Sequence, residues 1–148
     1  MSISQYHAAL GARFVDAVPH VRELGIGLVA VSRDRVQVNL PYRAEWLGDA
    51  FNGLIHPGIT TTLVDSCSGM AVLARLEKYE PIATLDLRMD YLRPALADKT
   101  LHCAAECYRV TAHIVFVRAT VWQDDEQFQV ALSQSVFMRS STSQKRVL

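Results

Sequence analysis

The chain lacks any uninterrupted apolar run of membrane-spanning length, although half of its residues are hydrophobic. It also lacks a surplus of charge, with 15 Lys and Arg against 15 Asp and Glu. Without a basic excess there is no electrostatic reason to expect a nucleic-acid backbone or an anionic membrane as partner. Cysteine is scarce, and Cys67, Cys103 and Cys107 form neither an even disulfide set nor a Cys-x-x-Cys pair. That argues against a disulfide framework and a metal site, and for buried free thiols in a reducing, cytoplasmic setting. Residues 1–7 show no basic patch followed by an apolar core, so no targeting segment is expected. No internal repeat is visible, and the polar residues 139–148 read as a flexible tail.

What is present suits one domain, 1–148, with a sizeable core. Within an N-terminal helical region, 1–19, residues 4–18 predict a helix capped by Ser4. Its apolar side is Ala8, Ala9, Ala12, Phe14 and Val15, and it ends at Pro19. Residues 24–31 and 35–40 flank Ser32-Arg33-Asp34 and predict a hairpin, with Val36, Val38 and Leu40 on one face. A loop through Pro41, Glu45, Trp46 and Gly48 leads to a turn, and a helix is expected over 58–77, where Ile59, Leu63, Met70 and Leu73 recur at helical spacing. After a break at Pro81 come β-rich segments at 82–92, 100–109, 113–123 and 127–138, separated by short polar turns that imply antiparallel pairing. The sum is an α+β domain in which one long helix, too apolar for a surface, packs on the concave face of an antiparallel sheet.

Asp65 lies inside that apolar helix, where a carboxylate is either at a functional surface or buried and paired, with Arg88 and Arg109 as candidate partners. Upstream, the unpaired N–H groups and dipole of a helix N-terminus suit a carbonyl oxygen or developing oxyanion, and Gly58 permits close approach to the backbone. Asp65 follows Gly58 by seven residues, roughly 10 Å along the helix, a separation that fits one long substrate.

Gly53-x-x-His56-x-Gly58-x(6)-Asp65, followed by Thr84-Leu85-Asp86 and Tyr91-Leu92-Arg93-Pro94-Ala95, resembles the hotdog-fold acyl-CoA thioesterases, and within them the PaaI-like group. The resemblance implies a long central helix wrapped by a curved antiparallel sheet. It also implies subunits paired into a continuous sheet, as a dimer or a dimer of dimers, with the site at their interface. It assigns Asp65 as general base or nucleophile on an acyl-CoA thioester, with coenzyme A present only as part of the substrate and no separate cofactor. Thr84 would orient Asp65 of the partner subunit or its water, His56 would shape the turn at the thioester end, and helix N-terminal amides would polarise the carbonyl. Asn52, Ile59, Arg88 and Arg93 are the candidate substrate-binding residues, the arginines for the CoA phosphates unless they lie on a solvated strand face.

Two positions depart from the family pattern. The family usually reads His-Gly-Gly, and the amide after the His is its expected carbonyl donor. Here that residue is Pro57, which has no N–H, so the donor is expected to shift to Gly58 or Ile59. The family often has Asn six residues before the His, where this chain has Ala50, with Asn52 four before. These departures motivate a second reading, a non-catalytic acyl-CoA-binding protein. A third, a hotdog-fold dehydratase, has its His and acid at spacings that differ from those here.

Overall fold

Residue patterning explains each element in the computed structural model, which describes residues 1–140. Helix α1, Ile3–Ala17, begins at a capping box: Ser2 accepts from the Gln5 backbone, and the Gln5 side chain accepts from the Ser2 backbone. The cap is therefore Ser2 and not Ser4. Pro19 does not end the helical region. It occupies the first turn of a second helix, α2 (Pro19–Leu24), where its missing N–H is harmless, and Gly25 closes that helix in the left-handed conformation.

Strands β1 (Gly27–Val31) and β2 (Val36–Leu40) form the expected hairpin, and Val36, Val38 and Leu40 point into the core. The loop that follows is more ordered than its composition suggests. It contains a single 3₁₀ turn, Ala44–Trp46, and a two-stranded ribbon of β3 (Leu47–Asp49) with β4 (Leu54–Ile55). Helix α3, Pro57–Leu76, comes next, then β5 (Ile82–Tyr91), β6 (Leu101–Val110), β7 (Ile114–Trp122) and β8 (Ala131–Arg139). Strand β8 starts later than 127, because residues 125–130 are spent on a turn in which the Phe128 N–H meets Asp125 O and the Val130 N–H meets Val121 O.

The main sheet is antiparallel throughout, in the order β1-β2-β6-β7-β8-β5. Its inner face wraps α3, which is buried around most of its girth through Leu63, Val64, Cys67, Met70, Ala71, Val72 and Ala74. Helix α1 closes one end, with the Tyr6 hydroxyl donating to Leu73 O at 2.9 Å. This is the helix-in-sheet architecture that the sequence implies.

Two details position the site. A β-bulge between Thr84 and Asp86 reverses the phase of β5, so Thr84, Leu87 and Met89 all oppose inward-facing residues of β8. Arg139 is not part of a loose tail: it ends β8 and forms a two-pronged bond to Glu80, at 2.8 and 3.3 Å, with little solvent around either side chain. The rest of the expected tail, 141–148, lies outside the described residues.

Candidate active site

Gly48 of β3 sits directly against the start of α3. A Cβ there would sit 3.0 Å from the His56 Cα, so any larger residue would push the two segments apart by a few tenths of an ångström. His56 is the N-cap of α3. Its backbone N–H donates to Trp46 O at 2.8 Å, and its ring Nδ1 accepts from the Gly58 N–H at 2.9 Å. An acceptor at Nδ1 leaves the proton of the neutral ring on Nε2. His56 thus shapes the turn, as its position in sequence suggests.

The donors of this first turn are already engaged. Pro57 has none, the Gly58 amide faces His56 Nδ1, and the Ile59 amide donates to His56 O at 3.0 Å. The two amides to which the carbonyl donor was expected to shift, those of Gly58 and Ile59, are both held by the N-cap histidine in this structure. Ile59 itself turns half-buried toward the core.

Two turns further along, Asp65 is half-buried and accepts a hydrogen bond from the Thr84 hydroxyl at 2.8 Å. Both residues belong to the same chain, whereas the resemblance placed Thr84 beside the Asp65 of a partner. The bulge after Thr84 turns its side chain inward onto the helix that its own sheet wraps. Among the described residues no cation pairs with Asp65. Arg88 binds Asp90 at 3.2 Å, and Arg109 stacks over the Phe116 ring. The two arginines expected as structural partners of this carboxylate are therefore engaged elsewhere.

A cavity of about 560 Å³ opens at the N-terminal end of α3. Its lining includes Asp49, Leu54, His56, Pro57, Thr60, Tyr91, Leu92, Arg93 and Val130, a largely apolar set with a few polar groups. Tyr91 ties the end of β5 to the helix: its hydroxyl donates to Pro57 O at 3.0 Å and contacts the Thr61 hydroxyl at 2.5 Å. Arg93 stands at the cavity with its guanidinium over Phe128.

Other expected residues stand apart. Asn52 is exposed and bonded to Asp49 through its backbone N–H, at 3.0 Å, and its side-chain amide, at 2.7 Å. Those bonds hold the Asp49 carboxyl below the usual carboxylate range, and the cavity lining includes Asp49 but not Asn52. Arg88 lies on the outer face of the sheet, in a groove of about 380 Å³ with Arg35, Glu106, Arg118 and Glu126, whose charges pair off among themselves. Thr60, Gly48, Asp49 and the hydroxyl of Tyr91 are the site groups that sequence reasoning passes over. The triple threonine before Leu63 was the one visible signal.

Comparison with known proteins bears on this geometry. The family model described as thioesterase superfamily matches residues 52–128, which carry both the helix start and Asp65. A Halobacterium salinarum protein bearing an esterase name is 32% identical over 138 residues, spanning 88% of this chain and 90% of its own length. The medium/long-chain acyl-CoA thioesterase YigI of Escherichia coli strain K12 is 22% identical over 142 residues, spanning 87% of this chain and 90% of its own. Among solved structures, a Pseudomonas aeruginosa protein is 34% identical with a TM-score of 0.80, covering 91% of this chain and 99% of its own. E. coli PaaI, from the phenylacetic acid degradation operon, has a TM-score of 0.83 at 18% identity, covering 96% of this chain and 99% of its own, and speaks to the fold alone. From the helix-wrapping sheet, the His56 turn and these relatives, we conclude that the chain belongs to the thioesterase superfamily and has its hotdog fold.

Proposed function

We propose that this protein hydrolyses an acyl-CoA thioester to the free acid and the coenzyme A thiol, with Asp65 as the acid-base or nucleophilic group. The observation that carries this reading is the state of Asp65, a carboxylate on the central helix that no cation among the described residues neutralises and that the Thr84 hydroxyl holds at 2.8 Å. As general base, Asp65 takes a proton from water, the oxygen attacks the thioester carbonyl carbon, the C–S bond breaks, and the proton passes to the departing thiolate. As nucleophile it attacks the carbonyl carbon and the C–S bond breaks to release the thiolate; water then cleaves the acyl-enzyme anhydride, restoring the Asp65 carboxylate and giving the acid, whose proton goes to the thiolate.

The cavity at His56 and Pro57 supports an apolar acyl or pantetheine arm, and Arg93 is the cation at that cavity suited to a CoA phosphate. Two copies complete the site in this reading. Strand β5 pairs only with β8 among the described residues, and its outer edge carries Leu85, 56% exposed. Edge-to-edge pairing of β5 would bring one subunit's Asp65 toward the other's helix start. The free, buried thiols Cys67 and Cys103 favour a reducing, cytoplasmic setting. No helix among the described residues is long and apolar enough to cross a membrane.

The engaged amides at Gly58 and Ile59, with Pro57 between them and His56, favour a second reading, acyl-CoA binding without turnover. The two are separated by following thiol release from aromatic and medium-chain acyl-CoAs alongside thermal stabilisation by the same ligands. Thiol release supports hydrolysis; stabilisation with no release above background supports binding alone.

A further inference from the structure

The loss of the residue-57 amide leaves a gap in the carbonyl-binding end of the site, and the three consecutive threonines after Ile59 bear on it. In a helix, a threonine hydroxyl ordinarily bonds back to the carbonyl four residues earlier. Thr61 does so, donating to Pro57 O at 3.3 Å, and Thr62 does so to Gly58 O at 2.9 Å. Thr60 does not. The carbonyl available to it, His56 O, receives the Ile59 N–H, and the Thr60 hydroxyl makes no hydrogen bond among the described residues. Thr60 is nevertheless 1% exposed and forms part of the lining of the 560 Å³ cavity beside His56 and Pro57. The hydroxyl of so enclosed a residue, lining the cavity and meeting no acceptor among the described residues, is one that a ligand or water in that cavity satisfies.

Helical geometry brings this hydroxyl to the gap. Side chains lean toward the helix N-terminus, so Thr60 covers the turn before its own Cα, and residues 57 and 60 share a face at a spacing of three. The other hydroxyl nearby, that of Tyr91, is engaged with Pro57 O and Thr61. We propose that the Thr60 hydroxyl donates the hydrogen bond to the thioester carbonyl oxygen, in place of the amide that Pro57 lacks. In the reaction it stabilises the oxyanion as negative charge builds there. The proposal rests on the acyl-thioester reading of the site and adds the donor that the site otherwise lacks.

The test uses the full chain with Thr60→Val, Thr60→Ser and the double variant Pro57→Gly/Thr60→Val. Valine matches threonine in shape and removes only a hydroxyl with no protein partner, so the melting temperature is expected to hold or rise. Thr60→Val is expected to lower kcat by about 10²–10³ with little change in KM. Thr60→Ser recovers most of the loss, and Pro57→Gly, which restores a backbone N–H, recovers part of it in the Val background. Unchanged kcat in Thr60→Val overturns the proposal. If the wild-type chain releases no thiol, the hydrolytic reading fails separately, and binding decides the donor. A ketone analogue of acyl-CoA, which keeps the carbonyl, is compared with a thioether analogue, which lacks it. Preference for the ketone by about five-fold or more in wild type, lost in Thr60→Val, supports the proposal; equal wild-type affinity for the two overturns it.

Discussion

Replacing Thr84 with valine removes one hydrogen bond to the carboxylate at the centre of the proposed chemistry. The bond is 2.8 Å long and charge-assisted, and it spans the inner face of β5 and the helix within a single chain. Bonds to charged groups are worth about 1.5–3 kcal/mol, and the partial exposure of both residues argues for the lower end. At 1.36 kcal/mol per decade, Thr84→Val is expected to lower kcat/KM by roughly ten-fold, while Thr84→Ser recovers most of that loss. Mixing subunits makes the test sharper. When Asp65→Ala and Thr84→Val chains are unfolded, combined and refolded, random pairing into the proposed dimer makes about half of all dimers hybrids. Because the structure joins Asp65 to Thr84 of its own chain, no hybrid regains an intact pair, and activity stays at the mean of the two parents. If Thr84 instead served a partner's Asp65, each hybrid would carry one intact pair, and activity would rise toward about a quarter of wild type. That rise, or full activity in Thr84→Val, would refute the reasoning.

Two further predictions concern the frame around the site. Glu80→Ala leaves Arg139 largely buried without its carboxylate, and breaking such a pair costs about 3–5 kcal/mol, seen as a melting temperature lower by roughly 10 °C. Bonds from Arg139 hold the Glu80 carboxyl below its ordinary range; the stability it adds is present above the unfolded-state pKa and fades as pH falls, so Glu80→Ala should flatten the acid limb of stability against pH. Burial, aided by the nearby Tyr79 and Glu77, pushes Tyr6 up to about 12 from 10.0. The stability that the neutral phenol contributes is therefore complete below pH 10.0 and lost as pH rises toward about 12. A Tyr6→Phe variant loses the bond to Leu73 O at about 1 kcal/mol and should shed part of that alkaline dependence in melts taken from pH 8 to 11.

The helix, the hairpin and the antiparallel pairing of β6, β7 and β8 were legible because hydrophobic periodicity and turn residues agree with burial at each of them, whereas β5 pairs with β8 and not with β6, the strand that follows it. The neighbouring of an acid at 65 and a hydroxyl at 84 was legible through the spacing of a family motif, but that both lie on one chain was not. Arg88 stands away from the helix for a reason specific to its strand: Thr84 and Arg88 are four apart, which in a regular strand means one face, but the bulge between Thr84 and Asp86 shifts the phase and sends Arg88 outward to Asp90. Pro19 misled because proline ends one helix and starts another with the same residue, and only the following turn distinguishes them. The engagement of the Gly58 and Ile59 amides by His56 depends on a side-chain rotamer at the N-cap, which no sequence pattern specifies. The role of Gly48 needs the approach of β3 to the helix start, a tertiary contact with no local signal.

The central claim is that Asp65 performs chemistry on a thioester. It is tested most directly by steady-state release of free thiol from the best acyl-CoA substrate in wild type and Asp65→Asn, with ligand-induced thermal stabilisation recorded on both. The account predicts that Asp65→Asn still binds and is stabilised by the ligand while kcat falls by about 10²–10⁴. Thiol release undiminished in Asp65→Asn would contradict it.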